Sequence, residues 1–263
     1  MRTELVSEPG DQERPNEDFA GVGVPASGQG GGSLVVLDGV TPPRGGTGCL
    51  HSVPWYTARL GGALTELTVS LPDVPLPEAL ARAIARTSAA HAATCDLSHP
   101  RTPQATVVLA RWSAQTVEYL VLSDSVLLLQ SPDGGVEAVV DDRLGRLPRA
   151  ALATDTLIDA HLRNKEGGFF TAAADPSVAR RAVTGSVPRS EVSALAALTD
   201  GATRWVERFR EGDWADCMTL IRKDGARALV DRVRALERAD AEQRAYLGRS
   251  KTHDDATVVY AEL

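Results

Sequence analysis

The stretch Leu37-Asp38-Gly39-Val40-Thr41 places a carboxylate at the end of a predicted buried strand. That strand is the apolar, β-branched run Ser33–Leu37, which glycines precede and prolines follow. A buried carboxylate destabilises a fold unless a cation pairs with it, so Asp38 indicates a metal site. Gly39 allows a sharp turn, which brings its own carbonyl oxygen close to the same cation.

Three more groups of carboxylates lie at predicted strand ends or in adjacent loops: Glu17-Asp18, Asp200-Gly201 and Asp254-Asp255. Any one Asp-Gly pair is more often a turn than a ligand. Carboxylates that meet without cations repel each other and raise one another's pKa, so the convergence of four groups predicts a bound metal. Because every donor is an oxygen, Mg²⁺ and Mn²⁺ are the favoured ions.

Arg14, four residues before Asp18, adds a side chain suited to phosphate. A guanidinium can hold two phosphate oxygens in a fork. Two divalent ions about 3.5–4 Å apart can share one water, lower its pKa and clamp a phosphoryl oxygen during in-line attack. These residue types together suit chemistry at a phosphoryl group.

Composition and charge exclude several classes of protein. The chain has 263 residues, of which 43% are hydrophobic and 24% charged, enough for a sizeable core. A net charge of −7 leaves no basic excess to neutralise phosphates, which opposes nucleic-acid binding. The N-terminus lacks an apolar signal-peptide core, and no apolar run is long enough to cross a membrane. We therefore expect a cytoplasmic protein with no membrane or nucleic-acid partner, and the oligomeric state stays open.

The cysteines Cys49, Cys95 and Cys217 are widely spaced and form no C-x-x-C pair. Their odd number and spacing argue against a disulfide framework and against a zinc site. We expect reduced, mostly buried thiols.

Hydrophobic patterns predict a mixed succession of strands and helices. The predicted strands are 19–24, 33–38, 105–111, 116–123, 126–130, 136–140, 168–173, 182–186, 191–199 and 257–263. The predicted helices are 49–69, 78–94, 203–210, 213–222 and 225–245, with 143–166 part helical and a glycine-rich hairpin turn at 27–33. Closely spaced strands with short turns favour an antiparallel meander over β-α-β units. The sequence predicts one α+β domain, residues 1–263, with two packed antiparallel sheets and helices outside.

Six short motifs resemble, in the same order, those of the type-2C (PPM, metal-dependent) serine/threonine protein phosphatases. They are Arg14-Pro15-Asn16-Glu17-Asp18 (the N-E-D motif), Leu37-Asp38-Gly39 (D-G-H-G-G), Gln104–Leu109 (G-T-T-A), Leu122–Ser125 (G-D-S), Thr199-Asp200-Gly201 (S-D-G) and Asp254–Val259 (D-N-x-T-V). Each motif is weak alone, but six in order over nearly the whole chain are fairly specific.

The resemblance implies a four-layer sandwich and hydrolysis of phosphoserine or phosphothreonine in a phosphoprotein substrate. It implies a binuclear Mn²⁺ or Mg²⁺ centre at one edge of the sheets and a weaker third ion, held by Asp124 and Asp200. It also implies that Arg14 binds the substrate phosphate and that Asp18 acts through a metal-bound water.

The same resemblance assigns the remaining metal ligands. Asp38 would bridge both ions. Asp200 and Asp254 would complete the coordination of one ion, and Glu17 with the Gly39 carbonyl would complete that of the other.

The chain departs from the family pattern at several positions. Val40 replaces the histidine proposed as general acid in many members, although bacterial members often lack it too. His51 and His253 are alternative candidates, but an isolated histidine is more often structural. Asp255 stands where asparagine is usual, and the family's glycine pair is displaced to Gly45-Gly46.

The segment 143–168, which would form the flap, is short and has no clear ligand. Two other functions therefore stay open. One is a catalytically inactive relative that keeps the fold as a binding or regulatory module. The other is a hydrolase of small-molecule phosphoesters.

Overall fold

The structure, a computed structural model, describes residues 2–25, 30–42, 45–243 and 252–263. Within these ranges, ten strands form two five-stranded sheets, and every pairing of neighbouring strands is antiparallel. The first sheet contains, in spatial order, β1 (Thr3–Glu8), β10 (Ala256–Glu262), β9 (Ala194–Leu198), β6 (Val126–Gln130) and β7 (Val136–Val140). The second contains β2 (Phe19–Gly23), β3 (Gly32–Leu37), β4 (Val107–Trp112), β5 (Thr116–Leu122) and β8 (Val183–Pro188).

Helices cover the outer faces of both sheets. The described residues include α1 (Val53–Ser70), α2 (Leu76–His91), α3 (Asp155–His161), α4 (Asp200–Glu207), α5 (Trp214–Asp224) and α6 (Ala226–Gln243), with short 3₁₀ helices at Pro176–Arg181 and Arg189–Glu191. Helices α1 and α2 pack on the second sheet, whereas α4, α5 and α6 pack on the first. A third apolar core lies between the two sheets.

Strand β3 shows why this sandwich forms. Leu34 and Val36 point into the core between the sheets, whereas Val35 and Leu37 point to α1 and α2. Successive residues of a strand face opposite sides, and here both sides are covered. A strand buried on both faces must be apolar throughout, as β3 is. The predicted four-layer α+β sandwich is confirmed.

Two local predictions differ from the structure, and two others extend beyond the described ranges. Strand β1 has no counterpart among the predicted strands. The predicted strand at 168–173 joins neither sheet, since Phe169 and Ala172 make only isolated bridges to Arg163 and Ala105. The predicted helix at 225–245 is present as α6 up to Gln243. Its last two predicted residues lie outside the described ranges, as does part of the predicted hairpin turn at 27–33.

The prediction of reduced cysteines is wrong for two of the three. Cys49 and Cys95 form a disulfide, which links the segment before α1 to the segment after α2. Cys217 is a free thiol buried among the side chains of α4, α5 and α6, as predicted. The two paired cysteines are 46 residues apart, and a pairing at that distance depends on the tertiary packing of the helices.

Across the part of the chain that the structure describes, no helix combines the length and the apolar character that a bilayer crossing requires.

Candidate metal centre

The strand register brings the predicted acidic residues to one edge of the sandwich. In the second sheet Phe19 pairs with Leu37, so the residues before β2 and after β3 are neighbours. In the first sheet Val258 pairs with Leu198, which puts the start of β10 beside the end of β9. Four carboxylates from these ends and from the β5–β6 turn line one cavity of about 400 Å³: Asp38, Asp124, Asp200 and Asp254.

Asp38 lies at the centre of this group. Its backbone N–H donates to Thr106 Oγ1 at 3.2 Å, and its carbonyl accepts from the Thr106 N–H at 2.9 Å, which fixes the end of β3. The N–H of Asp200, at the start of α4, lies 3.4 Å from the Asp38 carboxylate and donates to it. Burial, followed by repulsion from Asp200 and Asp18 and then from other carboxylates, raises the pKa of Asp38 well above its usual range.

Asp18 has one satisfied and one unsatisfied carboxylate oxygen. Its Oδ2 accepts hydrogen bonds from Thr257 Oγ1 at 2.7 Å and Thr199 Oγ1 at 3.0 Å. Its Oδ1 is buried and has no hydrogen-bond partner among the described residues. Burial raises the pKa of Asp18 to about 8, although the two threonine hydroxyls oppose the shift.

The pKa of Asp200 is also raised. Burial, then repulsion from Asp254 and Asp124, raises the pKa of Asp200 to about 7, against the attraction of Arg204. Buried carboxylates that destabilise one another in this way are stable as anions only beside a cation. With the unpartnered Asp18 Oδ1 beside them, these all-oxygen donors fit a hard divalent cation such as Mg²⁺ or Mn²⁺.

The glycines of the two Asp-Gly pairs let neighbouring loops approach closely. A side chain at Gly39 would collide with the Glu17 carbonyl oxygen and with Val53. A side chain at Gly201 would collide with the Asp255 carbonyl oxygen. Gly39 therefore lets the loop of Glu17 lie against the end of β3, and Gly201 lets the loop of Asp255 lie against the start of α4. This close approach explains why glycine follows aspartate at both positions.

Glu17 lies on the loop before β2, next to these contacts. The Thr41 hydroxyl donates a hydrogen bond to its carboxylate, which links this loop to the segment after Gly39. Glu17 lines a second, outer cavity and not the acidic one, whereas Thr41 lines both.

Asp255 has a structural role that explains its departure from asparagine. Its Oδ1 accepts from the Gly10 N–H at 2.8 Å, and its Oδ2 accepts from the Glu17 N–H at 2.7 Å. An asparagine side chain has one acceptor oxygen and could not repeat both bonds. Asp255 therefore holds the N-terminal loop, with Glu17, against the start of β10.

The β5–β6 turn aims Asp124 into the acidic cavity. Ser123 has a φ of 71°, a left-handed conformation that is uncommon for residues other than glycine. Its N–H donates to Asp141 Oδ2 at 2.9 Å, and Arg143 pairs with the same buried carboxylate at 2.6 Å. These contacts with Asp141 stabilise the turn in spite of the left-handed conformation of Ser123, the residue directly before Asp124.

Arg14 lies in a separate, outer cavity of about 570 Å³. Its side chain is 73% exposed and lies 3.8 Å from the carboxylate of Asp11. Thr41 and Asp254 line both cavities, so the outer cavity adjoins the acidic one. His253 also lines the outer cavity, whereas His51 contacts Cys49 and Trp55.

Arg163 is a cavity residue that sequence reasoning missed. It lines the acidic cavity from the segment 143–168, and its charge partly opposes the raised pKa of Asp124, which is caused mainly by burial. It pairs with Asp159 at 3.3 Å and stacks on the ring of Phe169. The segment itself carries no motif that would have revealed it, because its position depends on the path of an irregular loop.

Arg204 connects the site to helix α6. It pairs with Asp254 at 3.0 Å and with Glu237 at 2.5 Å, and Arg234 pairs with Glu237 at 2.7 Å. The Glu237 carboxylate is fully buried. The network therefore couples a carboxylate of the cavity to the packing of the C-terminal helix.

We expect Arg204→Met to lower the free energy of unfolding by roughly 3 kcal/mol, because it leaves a buried carboxylate with one cationic partner instead of two. Urea unfolding followed by circular dichroism measures the change. Arg238→Met, at an exposed position of helix α6, is the control and should change stability by less than about 0.5 kcal/mol. Equal effects of the two substitutions would contradict a role for the network.

The fold is similar to that of several bacterial serine/threonine phosphatases. The S. agalactiae serine/threonine phosphatase superposes with a TM-score of 0.62 at 14% identity, covering 98% of each chain. The Mycobacterium tuberculosis phosphatase PstP/Ppp superposes with a TM-score of 0.60 at 16% identity, covering 100% of this chain and 98% of that one. Stp1 from Staphylococcus aureus gives 0.57 at 13% identity, over 99% and 94% of the two chains.

The sequence profile of protein phosphatase 2C matches residues 11–244. The chain therefore belongs to the protein phosphatase 2C family. A search of curated proteins finds no match.

Proposed function

We propose that this chain is a single-domain, metal-dependent phosphatase that hydrolyses phosphoserine and phosphothreonine in proteins. The observation that supports this most strongly is the group of half-buried carboxylates around Asp38, in which one buried oxygen of Asp18 has no hydrogen-bond partner among the described residues. Membership of the protein phosphatase 2C family supports the same reaction. The open cavity beside the carboxylates, with Arg14 on its wall, leaves room for a phosphorylated side chain.

We propose two Mn²⁺ or Mg²⁺ ions, with a weaker third, as the cofactors. The donors would be Asp38 between the two ions, Asp200 and Asp254 on one, Glu17 and the Gly39 carbonyl on the other, and Asp124 with Asp200 on the third. When bound, such ions lower the pKa of a water and neutralise phosphoryl oxygens during in-line attack.

The chain's own side chains would bind the substrate and position the water. Arg14 offers a guanidinium to the phosphate oxygens from the outer cavity. Thr199 and Thr257 hold Asp18 by one oxygen, so the other can accept a hydrogen bond from the attacking water. Val40 cannot donate a proton, and we assign the protonation of the leaving alkoxide to His253, which lines the same cavity as Arg14.

Phosphate release in the presence of Mn²⁺ tests this function. The substrates are a phosphothreonine peptide and a generic aryl phosphate, and EDTA should abolish turnover of both. Turnover of small phosphoesters with none of the peptide would favour a small-molecule hydrolase. The absence of any turnover, with fewer than two Mn²⁺ bound in a calorimetric titration, would favour a non-catalytic module.

We expect Arg14→Ala to raise the KM for the phosphopeptide about tenfold, because a charge-assisted hydrogen bond is worth about 1.5–3 kcal/mol. The kcat should fall less, since Arg14 is exposed and lies apart from the carboxylate cavity. Initial-rate kinetics over a range of peptide concentrations separates the two constants. Arg238→Ala, at an exposed position of α6, is the control and should leave both KM and kcat unchanged. An unchanged KM for Arg14→Ala would show that Arg14 does not bind the substrate.

A further inference from the structure

A second group of metal-ligating side chains lies apart from the carboxylates. Cys49 and His51 precede helix α1, and His91 and Cys95 lie at the end of helix α2 and just after it. One ligand atom from each of these four side chains lies within 4.8 Å of every other. None of the four lines either of the two cavities described above. We call these four residues the Cys₂His₂ cluster.

The sulfur–nitrogen distances within the Cys₂His₂ cluster match those of a tetrahedral zinc site. Zinc binds thiolate sulfur at about 2.3 Å and imidazole nitrogen at about 2.0–2.1 Å, so sulfur and nitrogen ligands lie about 3.5 Å apart. Nδ1 of His91 lies 3.3 Å from the Cys49 sulfur, and Nδ1 of His51 lies 3.3 Å from the Cys95 sulfur. Nδ1 of His51 lies 3.7 Å from the Cys49 sulfur. Both histidines therefore direct the same nitrogen toward the sulfur atoms.

Backbone amides point at both sulfur atoms. The N–H of Leu50 lies 3.3 Å from the Cys95 sulfur, and the N–H of His51 lies 3.4 Å from the Cys49 sulfur. Amide hydrogen bonds stabilise the negative charge of a thiolate, as the outer shell of a metal site does. The Cys49-x-His51 turn thus supplies two ligands and two supporting N–H groups.

Aromatic packing orients the histidine rings. The ring centroids of His51 and Trp55 are 4.0 Å apart, and those of Trp55 and His91 are 5.3 Å apart. His91 is buried, and its Nε2 has no partner within the described residues, whereas its Nδ1 contacts the Cys49 sulfur. The rings are therefore held in place with Nδ1 facing the sulfur atoms.

We propose that the Cys₂His₂ cluster binds one Zn²⁺ when the Cys49–Cys95 disulfide is reduced. A dithiol reductant supplies the two electrons and two protons that open the disulfide, and is itself oxidised to a disulfide. Zinc binding then displaces the two thiol protons to solvent. Sulfur and nitrogen donors select zinc, whereas the carboxylate site, with oxygen donors alone, selects Mg²⁺ or Mn²⁺.

The proposed ion has a structural role. Four protein ligands fill a tetrahedral coordination sphere and leave no open position for a substrate. Two ligands come from the segment before α1, and two come from the last residue of α2 and the segment after it, so the ion would join the ends of the two helices that cover the second sheet. We expect zinc to raise the melting temperature of the reduced chain by about 5 °C or more, because it binds only the folded arrangement.

Cobalt spectroscopy of the reduced, full-length chain tests the proposal without any substitution. Mn²⁺ in excess occupies the carboxylate site, and one equivalent of Co²⁺ is then added anaerobically. We expect visible bands of tetrahedral cobalt together with a sulfur-to-cobalt charge-transfer band, which oxygen ligands cannot produce, and loss of both on addition of Zn²⁺. A reduced chain that stays folded by circular dichroism and shows no charge-transfer band would overturn the proposal.

Cysteine variants provide the matched comparison. After reduction, incubation with zinc and exhaustive dialysis, we expect one zinc per wild-type chain and a drop to background in Cys49→Ser and Cys95→Ser. Cys217→Ala removes the third cysteine, which is buried in a different core, and should retain one zinc. Equal zinc content in all four proteins would also overturn the proposal.

Discussion

Asp38→Asn is expected to reduce phosphate release from a phosphopeptide about a thousandfold or more while leaving the chain folded. Asp38 is half-buried, and four other carboxylates contribute to its raised pKa, which places it at the centre of the acidic group. Asparagine has nearly the same shape but no negative charge, so two divalent ions would lose the anion between them. If the transition state loses several kcal/mol of stabilisation by the ions, phosphate release is slowed roughly a thousandfold.

The same substitution is expected to leave the metal-free protein at least as stable as the wild type. Without a cation, the ionised Asp38 is repelled by Asp200, Asp18, Asp124 and Asp254, and asparagine removes that repulsion. A variant that is inactive in Mn²⁺ yet undiminished in thermal stability in EDTA would therefore separate the loss of a ligand from a loss of fold.

Asp231→Asn is the matched control, since Asp231 is exposed on helix α6. It should keep full activity and the melting temperature of the wild type. If the activity of Asp38→Asn is within tenfold of that of the wild type, the proposed metal-dependent reaction is contradicted. If the variant is inactive but still binds two Mn²⁺ per chain, Asp38 does not bridge the two ions.

The strands that sequence patterns predicted well are those buried on both faces. β3, β4 and β6 are apolar at nearly every position because helices cover one side and the other sheet covers the second. β1 was missed because it is an edge strand in which only Val6 is buried. Its pairing partner, β10, lies at the opposite end of the chain, so no local signal marks the pair.

The carboxylates could be located from the sequence because each one follows or precedes a recognisable strand. Side chains on irregular segments could not be located in this way. Arg163 reaches the acidic cavity from a loop whose path depends on tertiary contacts such as the stacking on Phe169. The Cys₂His₂ cluster was missed for a related reason, since Cys49-x-His51 and His91-x₃-Cys95 are brought together only when α1 packs against α2.

The metal-free chain is expected to lose stability as the pH rises from about 5 to 8. Asp18 and Asp200 have folded-state pKa values raised to about 8 and about 7, whereas an unfolded aspartate titrates near 3.9. Between these values the folded state binds protons that the unfolded state has released. Stability then decreases with rising pH by several kcal/mol over this range, and the melting temperature should fall by about 10 °C or more.

Melting curves in EDTA at pH 5, 6, 7 and 8 measure this slope, and the same series in Mn²⁺ should be nearly flat because the cation stabilises the ionised carboxylates. Asp18→Asn should reduce the slope in EDTA, because asparagine still accepts the threonine hydrogen bonds but cannot ionise. Asp231→Asn should keep the wild-type slope. A melting temperature in EDTA that rises toward pH 8 would show that the half-buried carboxylates are ionised and stabilised without a metal, and the electrostatic argument for the ions would then fail.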